Sequence, residues 1–265
     1  MAITITDLIV YPVKSLAGIR VHSSLVTGTG LAMDRHWMLV DEQGKFISQR
    51  SVPALTRFKT FFSNENIGIS HEGSEDIFLP YHLAAGEQAT VTIWDDECTA
   101  LKAGPDINEW FSKILGRECY LVRQMESAPR RLAEAEGIVS FADSSPVLVV
   151  NKSSLEDFNS RLDTGVTETH FRPNVVVDGH VPYAEDTWDV IEAGSARMQA
   201  VKTCGRCQVI GINPGTGKPD PSVLKTLASY RNVAGSIKFG LLVRPLVQGV
   251  LSVGDTINIL SERNI

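Results

Sequence analysis

The feature that most constrains the fold is a long succession of short, strand-like segments separated by turn residues. The first, Ile3–Val10, alternates apolar and polar residues and then turns apolar, as an opening strand does. Trp37–Val40 and Gln88–Trp94 each lead into an acidic turn of the kind that closes a β-hairpin. Further strands are predicted over Arg20–Thr27, Lys45–Gln49, Phe58–Ile69, Ile77–Leu83, Cys98–Lys102, Cys119–Arg123, Pro146–Val150, Val175–Val177, Met198–Val201, Phe239–Val243 and Val253–Leu260.

Only three segments show helical patterns. Asp106–Leu115 places its apolar residues on one face and is followed by Gly116, a natural C-terminal stop. A second helix is predicted to open at Ser154, which with Asp157 forms something close to a capping box. A third begins at Asp220-Pro221, with proline in the first turn. Many strands and few helices predict an α+β, β-rich and barrel-like protein. The lack of a G-x-G-x-x-G at a strand end disfavours a doubly wound nucleotide fold.

One polar stretch divides the chain. Residues 124–137 contain Pro129 and the adjacent arginines Arg130 and Arg131, and we interpret them as a surface loop or as the seam between two domains.

Charge and composition limit the functional classes. A net charge of −6 argues against a nucleic-acid partner that binds through a basic face. No apolar run is long enough to span a bilayer, and the N-terminus lacks the pattern of a secretory signal, so we expect a cytoplasmic protein without a membrane partner. Four cysteines among 265 residues do not indicate a disulfide framework.

The stretch Lys202–Gly217, KTCGRCQVIGINPGTG, carries the strongest chemical signal. It places Cys204 and Cys207 around a Gly-Arg step. A structural zinc site would need a second close pair of ligands, which the sequence does not offer. A thioredoxin-like pair should open a helix, whereas the residues after Cys207 have more strand than helix character. Two cysteines that merely pack remain an alternative. Gly215-Thr-Gly-Lys218 is not a phosphate loop, because the pattern's first glycine and its hydroxyl residue are missing.

Six ordered motifs together resemble the MOSC domain family. They are Tyr11-Pro-Val-Lys-Ser15, Asp34-Arg35, Ser140-Phe-Ala-Asp143, Phe171-Arg-Pro-Asn174, Cys204-Gly-Arg-Cys207 with Asn213-Pro-Gly-Thr-Gly217, and Leu224-Lys-Thr-Leu-Ala-Ser-Tyr-Arg231, and the closing Gly249–Gly254 segment fits as well. The similarity is greatest to the subgroup that includes the mitochondrial amidoxime-reducing component and its bacterial relatives. It implies a MOSC N-terminal β-barrel domain over residues 1–123 and a MOSC domain, with a β-barrel core and a few flanking helices, over residues 124–265.

The resemblance also implies a cofactor and its binding residues. The family binds the molybdenum cofactor, in which a pterin dithiolene that carries a phosphate holds the metal. The second cysteine of the family motif ligates the metal, so Cys207 is the implied metal ligand and catalytic residue, and a thiolate is a suitable soft ligand. Phosphate and pterin call for cations and hydrogen-bond donors. The implied cofactor-binding residues are Lys14, Ser15, Arg35, Ser144, Ser145, Arg172, Asn174, Gly205, Arg206 and Cys207.

The implied activity is the reduction of N-hydroxylated substrates, such as hydroxylamines, amidoximes and N-hydroxylated bases, as in detoxification. The chain lacks the cysteine run of the iron–sulfur domain found in some bacterial relatives. We therefore expect a separate electron-donor protein, such as a ferredoxin or a reductase. Gly205 and Asn213 replace the Ser and Asp that relatives usually carry, and the second change could alter proton transfer. Two alternatives stay open: a carrier of the cofactor or of sulfur without turnover, and a thiol redox protein that uses Cys204 and Cys207.

Overall fold

The computed structural model describes residues 2–83 and 85–264 and shows the α+β, strand-rich fold that the sequence predicts. Three α-helices lie in the described residues: α1 (Pro105–Leu115), α2 (Lys152–Asn159) and α3 (Pro221–Arg231). The strands are β1 (Ile3–Val10), β2 (Ile19–Val21), β3 (Ser23–Thr27), β4 (Gly30–Leu31), β5 (Trp37–Asp41), β6 (Lys59–Ser63), β7 (Asn66–Ser70), β8 (Ile77–Pro80), β9 (Gln88–Ile93), β10 (Asp96–Lys102), β11 (Cys119–Gln124), β12 (Arg130–Arg131), β13 (Ile138–Val139), β14 (Val147–Asn151), β15 (Val175–Asp178), β16 (Trp188–Ala193), β17 (Ala196–Gly205), β18 (Asn232–Val233), β19 (Ser236–Val247), β20 (Gly249–Ser252) and β21 (Thr256–Glu262).

Seven strands form a closed barrel in the order β14-β15-β1-β21-β16-β17-β19, and the antiparallel pairing of β14 with β19 closes it. All neighbours are antiparallel except β14 and β15, which run parallel and are connected through α2. The interior is filled by the inward residues of every strand, among them Leu8, Trp188 and Met198. Since β1 pairs with β15 and β21, the N-terminal strand belongs to this barrel in space. The division of the chain at residue 123 stays a prediction.

A second β-rich layer comes from the first half of the chain. Strands β5, β11, β10 and β9 form a four-stranded antiparallel sheet, and β6, β7 and β8 form a three-stranded one. Helix α1 packs its apolar face against this layer, where Trp37, Phe58 and Phe111 are fully buried. These sheets support the loops that reach the candidate site.

The helix ends follow the sequence signals in two of the three cases. Gly116 ends α1 in the left-handed conformation with φ 63°, and Asp220 caps α3 ahead of Pro221. The expected start of the second helix at Ser154 is wrong. Asn151 caps α2 instead, because its side chain accepts from the Ser153 N–H at 3.2 Å, and Ser154 is buried in the first turn of the helix.

Three other local expectations are corrected. Lys45–Gln49 is not a strand: Lys45 and Phe46 form single bridges before the chain leaves the sheet. The residues after Cys207 form a short 3-10 helix, Gln208–Gly211, rather than a strand. Arg130 is not a surface residue, because its guanidinium is buried against the 140–142 segment.

No helix in the described parts of the chain is both long enough and apolar enough to cross a membrane.

Candidate functional site

A cavity of about 300 Å³ brings together all ten residues that the sequence singles out. They come from five separate segments, each at or close to a strand end, after β1, before β5, before β14, before β15 and at the end of β17. Both halves of the chain therefore contribute to one site. The residues are Lys14, Ser15, Arg35, Ser144, Ser145, Arg172, Asn174, Gly205, Arg206 and Cys207.

Cys207 presents its sulfur at the wall of this cavity. The residue is half-buried, at the point where the chain leaves β17 and enters the 3-10 helix. Its Sγ accepts a hydrogen bond from Nη2 of Arg50 at 3.4 Å. Arg50 in turn lies over the ring of Trp94, with 4.6 Å from the guanidinium carbon to the ring centroid. The thiol is therefore accessible from the cavity and adjacent to a positive charge.

Cys204 lines the same cavity but differs from Cys207 in its surroundings. Its thiol packs against a hydrophobic cluster of the second half and donates to the carbonyl of Gly205 at 3.6 Å. Burial raises the pKa of the Cys204 thiol, which disfavours the thiolate needed for a redox pair or a metal ligand.

Three donor atoms around the cavity are buried and have no hydrogen-bond partner among the described residues. They are Oγ of Ser145, Nη2 of Arg172 and Nη2 of Arg206. The other nitrogens of Arg206 are fixed, because Nε donates to the Phe239 carbonyl at 2.8 Å and Nη1 donates to the Phe171 carbonyl at 3.1 Å. A buried polar group without a partner is costly, so these donors indicate a ligand that supplies acceptors.

Burial also leaves Arg172 as an uncompensated cation. Its Nη1 donates to the Leu16 carbonyl at 2.7 Å, and its guanidinium lies 4.3 Å from the centroid of the Tyr11 ring. Desolvation lowers the pKa of Arg172 to about 10, with Arg35 nearby acting in the same direction. An anion bound beside it would remove that penalty.

Asn174 and Asp34 hold Arg35 in position. Oδ1 of Asn174 accepts from Arg35 Nη1 at 3.1 Å, and Nδ2 of Asn174 donates to Oδ1 of Asp34 at 2.9 Å. Asp34 is fully buried and raises the pKa of Arg35, although burial opposes that shift. The amide of Asn174 also bonds the backbone of Ile9 and Leu148, so its hydrogen-bonding capacity is used within the protein. The Asp34–Arg35 pair is thus part of a buried network and not an isolated surface pair.

Lys14 and Asp143 form an ion pair inside the cavity. Nζ of Lys14 donates to Oδ1 of Asp143 at 2.5 Å and to the Phe141 carbonyl at 2.7 Å. Burial lowers the pKa of Lys14, and Asp143 opposes part of that shift. Desolvation by the surrounding protein acts to raise the pKa of the Asp143 carboxyl. The charge of Lys14 and the hydrogen bonds from Lys14 and Trp94 outweigh that effect and lower the pKa of Asp143 to about 2. The carboxylate faces the open cavity, so 68% of its side chain is accessible.

Backbone strain concentrates at this site. Four of the eight non-glycine residues with positive φ in the described parts of the chain line the cavity: Ser15 at 71°, Arg35 at 54°, Trp94 at 56° and Arg172 at 56°. Side chains at such φ values cost free energy, and residues of this kind cluster at functional sites. The local conformations are maintained because they direct the three polar residues and Trp94 to the same cavity.

Sequence reasoning did not assign a role to several cavity residues, among them Phe46, Gln49, Arg50, Trp94 and Lys202. The first four lie outside every motif named above, and Lys202 opens the Lys202–Gly217 stretch but precedes its two cysteines. Arg50 donates to the Cys207 sulfur, and Trp94 lies under the Arg50 guanidinium. Both residues lie in turns of the first half of the chain, far in sequence from Cys207. Arg130 also received no role from the sequence: its Nη1 donates to the carbonyls of Ser140 and Ala142, at 3.0 and 2.9 Å, and so holds the segment that carries Asp143 and Ser145.

The charge of the cavity is opposite to that of the chain. Six cationic side chains line it, Lys14, Arg35, Arg50, Arg172, Lys202 and Arg206, together with one carboxylate, Asp143, in a protein whose net charge is −6. Cations grouped around buried donors favour a multiply charged oxyanion. The arrangement can hold a phosphate-bearing ligand beside an accessible thiol.

Known protein families and relatives match this chain over nearly its whole length. The profile of the MOSC N-terminal beta barrel domain matches residues 2–118, and that of the MOSC domain matches residues 136–258. Mouse mitochondrial amidoxime-reducing component 1 is 30% identical over 98% of this chain and 83% of its own length. The rat mitochondrial amidoxime reducing component 2 is 30% identical over 96% of this chain and 82% of its own length. Molybdenum cofactor sulfurase of Arabidopsis thaliana is 32% identical over 94% of this chain, which spans only 34% of that longer protein.

Proposed function

The chain belongs to the family of proteins that combine a MOSC N-terminal β-barrel domain with a MOSC domain, and we propose that it is a molybdenum-cofactor-dependent oxidoreductase that reduces N-hydroxylated compounds. The observation that carries the proposal is the combination of three buried, unpartnered donors with an accessible thiol in one cationic cavity. Similarity to the amidoxime-reducing components supports the reaction class.

The residues present fit this cofactor. The free donors of Ser145, Arg172 and Arg206 match the oxygen atoms of a phosphate and the polar edge of a pterin. Cys207 supplies the soft thiolate that molybdenum accepts. Bound there, the cofactor supplies the redox chemistry, in which two electrons and two protons remove the hydroxyl oxygen from nitrogen and release water.

The protein's own residues bind and orient in this proposal. Arg172, Arg206 and Ser145 hold the phosphate or the pterin, and the other cofactor-binding candidates in the cavity wall add charge and donors: Lys14, Ser15, Arg35 and Ser144. Asn174 acts as a positioning residue, because its amide is fully used in holding Arg35 and the backbone. The Arg50 guanidinium holds the Cys207 sulfur toward the cavity. Electrons would come from a separate donor protein.

The test is to express the chain in a host that makes the cofactor, and to measure molybdenum, pterin and benzamidoxime reduction with an artificial electron donor. We expect about one molybdenum and one pterin per chain, together with formation of benzamidine. A protein that carries neither molybdenum nor pterin would overturn the proposal.

A second candidate is a carrier that binds the cofactor, or a sulfur atom on Cys207, and passes it to another enzyme. The similarity to the plant molybdenum cofactor sulfurase favours it. The two functions separate experimentally: a carrier transfers its cofactor to an apo-enzyme and leaves benzamidoxime unchanged, whereas a reductase keeps the cofactor through many turnovers.

A further inference from the structure

The carboxylate of Asp143 has a free oxygen inside a cavity whose other charged groups are cations. Oδ1 accepts from Lys14 Nζ at 2.5 Å and from Trp94 Nε1 at 3.2 Å. Oδ2 has no hydrogen-bond partner among the residues that the structure describes. The two donors on Oδ1 fix the orientation of the carboxylate and leave Oδ2 to the cavity.

The Lys14–Asp143 ion pair is asymmetric, since 68% of the Asp143 side chain is accessible and only 6% of the Lys14 side chain is. Lys14 also has the Phe141 carbonyl as a second acceptor, at 2.7 Å. The Arg130–Asp96 pair has a similar asymmetry, with 4% and 51% accessible. What distinguishes Asp143 is that its accessible carboxylate lines the cavity, whereas Asp96 does not.

The chemistry of the other lining groups shows what such a ligand must offer. Arginine and lysine side chains donate hydrogen bonds and cannot accept them. The amide oxygen of Asn174 is already occupied by Arg35 and by the Leu148 N–H. Asp143 is the one carboxylate among the described lining residues, so it is the strongest acceptor available to a ligand that carries N–H groups.

We propose that Oδ2 of Asp143 accepts a hydrogen bond from an amidine-type edge, an N–C–N group with N–H donors. Carboxylates recognise such edges strongly, as they recognise the guanidinium of arginine. Under the proposed function, on which this inference rests, two ligands carry that edge: the aminopyrimidine ring of the pterin and the amidoxime group of a substrate. Asp143 selects for the donor pattern, whereas the surrounding cations select for negative charge.

The pterin arm of the test uses the cofactor-free full chain and two probes, neopterin monophosphate and the lumazine analogue, which has an oxygen in place of the 2-amino group. Calorimetry gives the affinity of each, and their ratio cancels effects that Asp143→Asn has on folding or on overall charge. We expect the wild-type chain to prefer the pterin and the variant to lose about tenfold or more of that preference, the value of one charge-assisted hydrogen bond.

The substrate arm uses the cofactor-loaded chain without an electron donor and measures the binding of benzamidoxime and of benzaldoxime, which lacks the amino group, by calorimetry; both are neutral. If Asp143 recognises the substrate, Asp143→Asn weakens the binding of benzamidoxime about tenfold relative to that of benzaldoxime and leaves the pterin ratio unchanged. Asp95→Asn is the matched control, since Asp95 is exposed in the same region but does not line the cavity, and it should change neither ratio.

A change in either ratio supports the inference and identifies the ligand. If both ratios are unchanged in Asp143→Asn, the inference is overturned, and the proposed function still stands provided that the chain binds molybdenum and pterin. A chain that carries neither molybdenum nor pterin contradicts the proposed function and, with it, the inference that rests on it.

Discussion

Replacing Ser145 with alanine should stabilise the cofactor-free protein and weaken its hold on the cofactor. Ser145 is 5% exposed, and its Oγ has no partner among the described residues. A buried hydroxyl without a hydrogen bond costs about 1–3 kcal/mol, and alanine removes that oxygen without removing apolar packing. The free energy of unfolding of the cofactor-free chain should therefore rise by about 1 kcal/mol or more in Ser145→Ala.

The opposite sign is expected for cofactor binding. A hydrogen bond from Oγ to a charged phosphate oxygen contributes about 1.5–3 kcal/mol, so the dissociation constant of the cofactor should rise about 10- to 150-fold in Ser145→Ala. Urea unfolding of the cofactor-free chain measures the first effect, and fluorescence of the released pterin measures the second.

Ser154→Ala is the matched control for this experiment. Ser154 is also fully buried, but its Oγ donates to the Glu185 carboxylate at 2.9 Å and accepts from the Tyr183 N–H at 2.7 Å. Removing a satisfied hydroxyl leaves partners unpaired and should lower the free energy of unfolding by about 1–3 kcal/mol. A loss of stability in cofactor-free Ser145→Ala, or an unchanged cofactor affinity, would refute the assignment of Ser145 as a ligand donor.

Three further variants test other parts of the account. In Cys207→Ser, the molybdenum content and the reductase activity should each fall about 100-fold or more, the size typical of a lost metal ligand or its support. Cys204→Ser should keep the molybdenum and the activity. Metal analysis and turnover assays measure the two quantities. Burial raises the pKa of Glu185 to about 7 from 4.5, so the stability that this carboxyl contributes is present below about pH 4.5 and is lost as the pH rises through 7. Glu185→Gln should avoid that loss and exceed the wild type at pH 8 by up to about 3 kcal/mol in urea unfolding. In Gly240→Ala, the new methyl group would stand on a backbone with φ 77°, 2.8 Å from the Val149 carbonyl oxygen and 3.3 Å from Nη2 of Arg206. Thermal unfolding should therefore show that the free energy of unfolding falls by at least about 1 kcal/mol. Cofactor binding should weaken as well, because the methyl group crowds Arg206.

Each of these variants has a contradicting result. Equal loss of molybdenum in Cys204→Ser and Cys207→Ser would show that the metal is not held by one thiol. Parallel pH–stability curves for the wild type and Glu185→Gln would show that Glu185 is ionised in the folded protein. Full stability and full cofactor affinity in Gly240→Ala would mean that the backbone beside Arg206 can move away at no cost.

Local sequence signals were sufficient to predict the bounds of an element where a short pattern or a single residue decides the backbone conformation. Ile3–Val10 is a strand with the predicted bounds. Its residues Ile5, Leu8 and Val10 pack into the barrel core, and a bulge between Ile5 and Asp7 shifts the alternation that the sequence shows. Gly116 and Pro221 mark helix ends through backbone freedom and a fixed φ, which do not depend on tertiary contacts. The ten residues that the family motifs single out all line one cavity. Their contacts with a cofactor stay a prediction.

Tertiary contacts decided the remaining features. The strand predicted after Gly44 does not form, because the chain leaves the sheet there and brings Gln49 and Arg50 to the cavity. The alternation of residue types does not show that departure. The polar stretch 124–137 indicates a surface loop or a domain seam and does not show that Arg130 is buried, because its partners are backbone carbonyls ten and twelve residues later and Asp96 in another sheet. The positive φ of Arg35 and of Arg172 also has no sequence signal, because neither residue type favours that conformation.

The central claim, that the sulfur of Cys207 ligates molybdenum in a cavity built to hold an anionic cofactor, is tested most directly by X-ray absorption at the molybdenum edge. The chain loaded with cofactor should show one more molybdenum–sulfur contact than the dithiolene of the cofactor supplies by itself. A number of sulfur neighbours no greater than that of the dithiolene alone would contradict the claim.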